Sequence, residues 1–243
     1  MRFIIMHMTN AHWESGAVPD EDLIGRVGTL LGSLATTGAL TAAEGLRPSA
    51  EGVRLRFTGG ERTVLPGPFD RGNELPAGFS ILRAGSLAEC TEWATRQAAL
   101  LGQEEDVEMD IRPVTEPWDI GLAPRPETVT TRRYMVLRKA TAVSEAGLPP
   151  SPANWAQLSR LIEETTRTGV HLLSATMRPS RRGGRLTNTR DGITFFDGPF
   201  TETKELIGGY VIVEAESLDV AGRLAVQYLE AVGATQVDVR ELE

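Results

Sequence analysis

The chain has 243 residues and a formal net charge of −8, with 41% hydrophobic and 24% charged residues. This composition is ordinary for a soluble globular protein. An acidic balance argues against broad binding to nucleic acid or to anionic membranes, and no apolar run approaches the roughly 20 residues that span a bilayer. Because Cys90 is the single cysteine, an internal disulfide is excluded and a reducing, cytoplasmic location is expected.

The first half of the chain predicts alternating strands and helices. Residues 1–8 favour a strand, and Asp20 precedes apolar residues at helical spacing, as an N-cap does. Ser86 and Glu89 form a capping-box pattern ahead of a second helix that contains Cys90. After this half, residues 113–127 hold four prolines, which predict an extended connector without a helix.

The second half predicts the same order of elements. A strand at residues 134–137 is followed by Ser151 and Pro152, which are typical of a helix start. Turn residues near 183 and 190 predict a hairpin that leads to the motif Asp197-Gly-Pro-Phe-Thr-Glu-Thr-Lys-Glu205. A third strand and a helix that begins at Ser217 complete this half.

The two halves are related by a constant offset. Gly67-Pro68-Phe69 and Gly198-Pro199-Phe200 differ by 198 − 67 = 131, and the same offset relates Arg47-Pro48-Ser49 to Arg178-Pro179-Ser180. This series predicts a tandem duplication with domains at 1–112 and 132–243, joined by a linker at 113–131. Each copy is expected to be a ferredoxin-like α+β unit, and their open sheet faces are expected to pack on each other.

The motif in the second copy resembles the hallmark of the DGPF-domain group of the YCII-related family, including the Gly208-Gly209-Tyr210 that follows it. The first copy is similar but degenerate, since Pro66 replaces the Asp and residues 70–74 replace the polar run. The resemblance implies a dimeric α+β barrel, here formed within one chain. It also implies an association with extracytoplasmic-function sigma factors, which is common in this family.

Charged residues in and near the motif are the candidate site. Asp197 is the first candidate, as a catalytic base or ligand-binding carboxylate; the alternative is a turn cap. Lys204 and Glu205 are expected to bind substrate or to form a surface salt bridge. Arg178 either binds a carboxylate or phosphate or pins the motif loop through backbone carbonyls.

His171 is the histidine of the second copy, and it is a candidate catalytic partner of Asp197 or a structural residue. The His-Asp pair of some family relatives does not carry over, because Asn154 and Trp155 occupy the place of the histidine. No spacing predicts a metal site, and no motif predicts a cofactor.

These features predict a cytoplasmic protein that binds a small polar molecule in the second copy, with lyase or hydrolase-type chemistry as one role. The alternative is a non-catalytic regulatory protein that binds a sigma factor. A third interpretation is a structural pseudo-dimer in which the motif stabilises the fold. Further association into a homodimer is compatible with each of these, and no residue specifies a substrate.

Overall fold

The computed structural model describes residues 1–70, 72–200 and 203–243. Over these ranges the strands are β1 (Arg2–Met8), β2 (Leu40–Gly45), β3 (Val53–Thr58), β4 (Glu61–Pro66), β5 (Pro76–Ala84), β6 (Val107–Pro113), β7 (Arg132–Lys139), β8 (His171–Thr176), β9 (Gly184–Thr189), β10 (Gly192–Asp197), β11 (Ile207–Glu214) and β12 (Gln236–Glu241). The helices are α1 (Ala11–Glu14), α2 (Glu21–Thr36), α3 (Leu87–Leu101), α4 (Ala142–Ala146), α5 (Pro152–Arg167) and α6 (Leu218–Val232). Within the described ranges, no helix is both long and apolar enough to cross a membrane. The predicted α+β class is confirmed.

The chain forms two compact units, and neither coincides with one sequence half. Unit 1 consists of residues 1–46 and 177–243, and unit 2 consists of residues 47–176. Each unit therefore takes a β-α-β segment from one half of the sequence and a hairpin-β-α-β segment from the other. The predicted linker at 113–131 lies inside unit 2.

Unit 1 contains an antiparallel sheet in the order β10-β9-β12-β1-β11-β2. β1 lies between two strands of the second half, so that Phe3 is paired with both Val213 and Glu241. Helices α2 and α6 cover one face, where a core forms around Phe3, Ile5 and Tyr228. Burial of these apolar side chains is the main stabilising contribution, at about 25 cal/mol per Å².

Unit 2 repeats this arrangement with the halves reversed. Its sheet runs β4-β3-β6-β7-β5-β8, and here β7 of the second half lies between β5 and β6 of the first. Helices α3 and α5 supply Cys90, Ala94 and Leu158 to a core that includes Met109 and Tyr134. Cys90 is fully buried, and this burial raises the pKa of its thiol to about 12, so its role is packing.

The expected closed barrel is not present. A barrel requires its first and last strands to be hydrogen-bonded to each other. In the described ranges both sheets are open, with β10 and β2 at the edges of one and β4 and β8 at the edges of the other. The expectation that each half builds its own sheet is also wrong, because β1 and β7 pair with strands of the opposite half.

Most of the predicted local signals are confirmed. Asp20, Ser86, Ser151 and Ser217 each cap a helix by accepting a hydrogen bond from the backbone N–H three residues later. Within α5, Leu158 is buried and Trp155 is 54% exposed.

The predicted connector is not wholly extended. Pro117–Ile120 form a short 3-10 turn, in which Glu116 and Asp119 cap the start. Proline is tolerated there because the backbone N–H groups of the first residues of such a turn have no hydrogen-bond acceptor within the turn. Glu116 binds Arg133 at 2.8 Å and Asp119 binds Arg132, so the connector is fixed to the start of β7.

Candidate functional site

The motif forms a corner of unit 1 between the edge strand β10 and strand β11. Asp197 is the last residue of β10 and is paired with Gly184, and the Gly198–Pro199 peptide that follows is cis. Thr203, Lys204 and Glu205 then lead into β11. Thr201 and Glu202 of the motif lie outside the described residues. We call residues 197–200 and 203–205, with the 3-10 turn Ser180–Arg182, the motif corner.

The turn of the motif is held against Ser180, which is fully buried. The backbone N–H of Phe200 donates to the Ser180 hydroxyl at 3.1 Å. A Cβ atom on Gly198 would overlap the carbonyl group of Ser180. Packing therefore requires glycine at this position, independently of any ligand.

The aromatic residue of the motif lies under a paired guanidinium. The Arg185 guanidinium is 4.5 Å from the centroid of the Phe200 ring, a distance suited to cation–π attraction. The same group donates to both carboxylate oxygens of Asp238, at 2.7 and 2.8 Å, and to the hydroxyl of Thr203. Arg185 therefore joins the motif, through Phe200 and Thr203, to strand β12, through Asp238.

Unit 2 builds an equivalent corner, which we call the first-half corner (residues 66–70, 72–74 and Ser49–Glu51). Gly67–Pro68 is also cis, Gly67 packs against the Ser49 carbonyl, and Phe69 lies 4.8 Å from the Arg54 guanidinium. The frame of Gly, Pro, Phe, Ser and Arg is therefore common to both units. The packing contacts that both units share explain why these residues are present, without a role in ligand binding.

A buried cluster of four charges, which the sequence did not reveal, adjoins the first-half corner through Glu74. Arg54 binds Asp110 at 2.6 Å and Glu74 at 2.9 Å, and Lys139 binds both carboxylates. All four residues are at most 5% exposed. Burial alone would raise the pKa of Asp110, but Lys139 and Arg54 outweigh it and hold this pKa below its usual value. At the motif corner, Met8 replaces this lysine, since 139 − 131 = 8.

A second pair of arginines fixes the strand ends that precede the corners. The Arg240 guanidinium donates to the Arg178 carbonyl at 3.2 Å, and Arg112 donates to the Arg47 carbonyl at 2.9 Å. From the sequence, Arg178 was expected either to bind a carboxylate or phosphate or to pin the motif loop through backbone carbonyls. The arginine that donates to a backbone carbonyl here is Arg240, and its repetition with Arg112 in β12 and β6 was the available signal.

The predicted site residues divide between the units. Asp197, Arg178, Lys204 and Glu205 belong to unit 1, whereas His171 belongs to unit 2. Asp197 and Lys204 are exposed, and Glu205 is partly exposed. Arg178 forms ion pairs with Glu241 at 3.3 Å and with Glu243 at 3.5 Å.

His171 lies at the start of β8, and its Nδ1 is 3.2 Å from the Thr166 hydroxyl. Its Nε2 is buried and has no hydrogen-bond partner among the described residues, and burial lowers the pKa of the imidazole. A buried, unpaired nitrogen favours the neutral ring. The structure therefore gives His171 the surroundings of a packed strand residue.

The motif corner differs from the first-half corner in its exposed side chains. Asp197 stands where Pro66 stands in the other unit, Lys204 where Asn73 stands, and Arg181 where Ala50 stands. The Cα of Arg181 lies against Gly198, so this arginine adjoins the motif turn. The offset of 131 identifies this difference between the two corners.

His7 is a further polar residue of unit 1, and it is paired with Gly209, which follows the motif in β11. The N–H of Thr9 donates to the carbonyl of Leu206 at 2.7 Å, which joins the end of β1 to the residue after Glu205. His7 Nδ1 lies 2.8 Å from the hydroxyl of Tyr228. It was missed because it belongs to the first half of the sequence and the motif to the second.

Two further features of the described residues bear on the site. No group of three or more His, Cys, Asp or Glu side chains there is placed to hold a metal ion. An open groove of about 640 Å³ lies between α2 and α6 and contains none of the predicted site residues. It is lined by Glu21, Asp22, Gly25, Arg26, Thr29, Gln227, Glu230 and Ala231.

Residues 133–241 match the model of the YCII-related domain. This YCII-related segment contains the whole motif and the second-half strands of both units. No curated protein matches the chain.

Proposed function

We propose that this protein binds a small polar molecule at the motif corner of unit 1, through Asp197, Arg178, Arg181, Lys204 and Glu205. One observation carries the proposal. Two corners share a frame of backbone and buried side chains, but the motif corner has charged side chains at three positions where the first-half corner has uncharged ones, namely Asp197, Arg181 and Lys204. Arg178 and Glu205 have charged counterparts in Arg47 and Glu74. The first-half corner serves as an internal control, because it folds with Pro66, Ala50 and Asn73 in their place.

The charges at the motif corner suit a ligand that carries both an oxyanion and a donor group. Lys204 and Arg181 provide cations, and Arg178 is a third at the same strand end. Asp197 provides an acceptor for an amine or hydroxyl group. Such a ligand is a small amino acid or hydroxy acid. Catalysis by Asp197, with lyase or hydrolase-type chemistry, stays a prediction, and His171 is not needed for the binding proposal.

The proposal includes the origin of the two corners. A tandem duplication of a DGPF-type unit, followed by loss of the motif in the first copy, is supported by the shared packing of Gly67 and Gly198 on a serine carbonyl and by the shared arginine contacts. On this account the ancestral polar set persists only at the motif corner. A cytoplasmic location remains an expectation that rests on the single cysteine.

The test is calorimetric titration of the full chain with three probes: malonate, inorganic phosphate and β-alanine. We expect Lys204→Ala to weaken binding of the anions about tenfold or more, since a charge-assisted hydrogen bond contributes roughly 1.5–3 kcal/mol. Asp197→Asn should weaken β-alanine selectively. The matched control is Asp70→Asn, which changes an exposed carboxylate at the first-half corner. Equal losses from Asp70→Asn and Asp197→Asn, or no binding of any probe, would contradict the proposal.

A second candidate is the interaction role, with a sigma factor as partner. Phe195 and Phe196 lie on the edge strand β10 and are 41% and 56% exposed. Exposed aromatic side chains on an unpaired strand edge favour association with another chain. Co-elution with a purified extracytoplasmic-function sigma factor, lost in Phe196→Ser, would support this role, and separate elution would count against it.

A further inference from the structure

Unit 2 contains an arginine that is largely buried and loosely paired. Arg138 lies near the end of β7, where it is paired with Gly78 of β5 and Met109 of β6, and its side chain is 18% exposed. Its Nη2 donates to the Ala77 carbonyl at 3.5 Å, and its Nη1 is 4.0 Å from Oε1 of Glu105. Hydrogen bonds between charged groups are roughly 2.7–2.9 Å long. Neither contact of the guanidinium is therefore a close one.

The carboxylate of Glu105 is loosely paired as well. Its side chain is 18% exposed, and its Oε2 is buried and has no hydrogen-bond partner among the described residues. Burial lowers the pKa of Arg138, and the charge of Glu105 opposes this effect only in part. Two charged groups that are mostly out of water and do not contact each other directly leave hydrogen-bonding capacity unused.

Unit 1 shows that the common fold does not require this pair. The offset of 131 relates Arg138 to His7. Glu105 comes from the connection between α3 and β6, residues 102–106. The corresponding connection of unit 1, between α6 and β12, is shorter and consists of Gly233, Ala234 and Thr235. Both partners of the pair are thus particular to unit 2, which indicates a role other than building the sheet.

We propose that Arg138 and Glu105 form a binding site of unit 2 for a neutral group that carries a carbonyl oxygen beside an N–H, as a primary carboxamide or a urea does. The carbonyl oxygen accepts from Nη1 of Arg138, and the N–H donates to Oε1 of Glu105. The 4.0 Å between these two atoms is too long for a direct hydrogen bond and short enough for one small group to contact both.

The charges of the pair favour a neutral ligand over an anion. The formal charges of Arg138 and Glu105 sum to zero, so a bound carboxylate would bring the site to −1 and would lie close to the carboxylate of Glu105. Repulsion between like charges is strong where water is largely excluded. A carboxamide satisfies both side chains without this repulsion. The site belongs to unit 2, whereas the motif corner belongs to unit 1, and the inference does not depend on the proposed function.

The test is a ¹H–¹⁵N NMR titration of the full chain with propionamide and, separately, with propionate, which has nearly the same shape. We expect propionamide to shift the backbone signals of Gly78 and Arg138 in a saturable way and to bind about tenfold or more tightly than propionate, because two hydrogen bonds to charged groups are gained. Glu105→Gln should reverse this preference, since the site then carries a charge of +1. The matched control is Glu104→Gln, which changes the neighbouring exposed carboxylate and should keep the preference for propionamide.

A second variant separates binding from stability. Arg138→Gln should abolish the response to propionamide while the far-UV circular dichroism stays unchanged. The inference is overturned if propionamide causes no saturable shift at Gly78 and Arg138, or if Glu105→Gln leaves the order of the two probes unchanged. A double-mutant cycle of Arg138→Gln and Glu105→Gln in urea unfolding gives an independent check. A large favourable coupling would show that the two side chains close into an ordinary ion pair in solution, and it would also overturn the inference.

Discussion

Replacing Lys139 by methionine should destabilise unit 2 strongly, because it removes one cation from the buried four-charge cluster. The formal charges of Arg54, Lys139, Glu74 and Asp110 sum to zero. Lys139→Met leaves a net charge of −1 among side chains that are at most 5% exposed. Leaving one buried charge without its partner costs about 3–5 kcal/mol. For a chain of this size that corresponds to a fall in Tm of about 6–20 °C.

The charge argument also predicts a rescue and a pH dependence. Glu74→Gln in the Lys139→Met background restores a net charge of zero, so it should recover much of the lost stability. In the wild-type chain the pKa of Asp110 is lowered. The stabilisation that the charged Asp110 gives to the fold is therefore present above about pH 3.9, the usual pKa of an unfolded Asp. It is lost as the pH falls through the lower folded pKa. Without Lys139 the folded pKa of Asp110 rises, so its carboxylate takes up a proton more readily. The loss of stability of Lys139→Met relative to wild type should therefore become smaller as the pH falls from 7 to about 4.5.

The assay is thermal unfolding followed by circular dichroism at several pH values, for the single and double variants. The matched control is Met8→Lys, which places a lysine at the equivalent position of unit 1 and should not reproduce the loss. A change below about 1 kcal/mol in Lys139→Met, or a double variant less stable than the single one, would refute the charge-balance reasoning.

Three further predictions concern individual positions. Gly198→Ala should destabilise the chain strongly, because its Cβ would overlap the Ser180 carbonyl. Gly28→Ala has open space in α2, so it should be neutral or stabilising by up to about 1 kcal/mol. Urea unfolding of the two variants compares their stabilities. Phe200→Ala should lower Tm by several degrees through lost packing under Arg185, and Asp197→Asn should change stability by less than about 0.5 kcal/mol. An Asp197→Asn loss as large as that of Phe200→Ala would make the carboxylate a structural cap. Burial lowers the pKa of His171. The contribution of the neutral imidazole to the free energy of unfolding should therefore be complete above about pH 6.5 and should decline as the pH falls towards the folded pKa. The difference in free energy of unfolding between wild type and His171→Gln, measured across about pH 5–8, checks this.

Local signals in the sequence predicted local structure well. The caps at Asp20, Ser86, Ser151 and Ser217 could be recognised because a capping side chain acts on a backbone N–H only three residues away. The charges of the motif could be recognised for a similar reason, since they interrupt an apolar strand pattern.

Strand partners could not be predicted, because apolar periodicity shows that a strand is buried and not which strand it pairs with. β1 and β7 carry nearly the same pattern, so either could occupy the centre of either sheet. The same ambiguity concealed the place of His7, which lies opposite Gly209 because β1 pairs with β11. It also concealed the buried cluster, since Lys139 and Glu74 come from different sequence halves.

The exchange of strands makes a strong prediction for the isolated second half, residues 132–243. Its β11 and β12 are separated in the sheet by β1, which this fragment lacks. Without a central strand, both would leave backbone N–H and C=O groups unpaired, at a cost that a small domain cannot offset. The fragment should therefore be unfolded at low concentration.

At higher concentration the fragment should fold as a homodimer. β7 of one copy is the sequence equivalent of β1, and it can insert between β11 and β12 of the other copy. Lys139 would then stand where Met8 stands in the intact chain, beside Arg185 and Asp238, and would form a cluster like that of unit 2. Folding by mass action would make the Tm of the fragment rise with protein concentration. Analytical ultracentrifugation with circular dichroism from about 1 to 100 µM would show this coupling, and Lys139→Met should weaken it. A fragment that is folded and monomeric throughout that range would show that the second half holds its own sheet, and the pairing of β1 with β11 would then be a consequence of linkage and not a requirement of the fold.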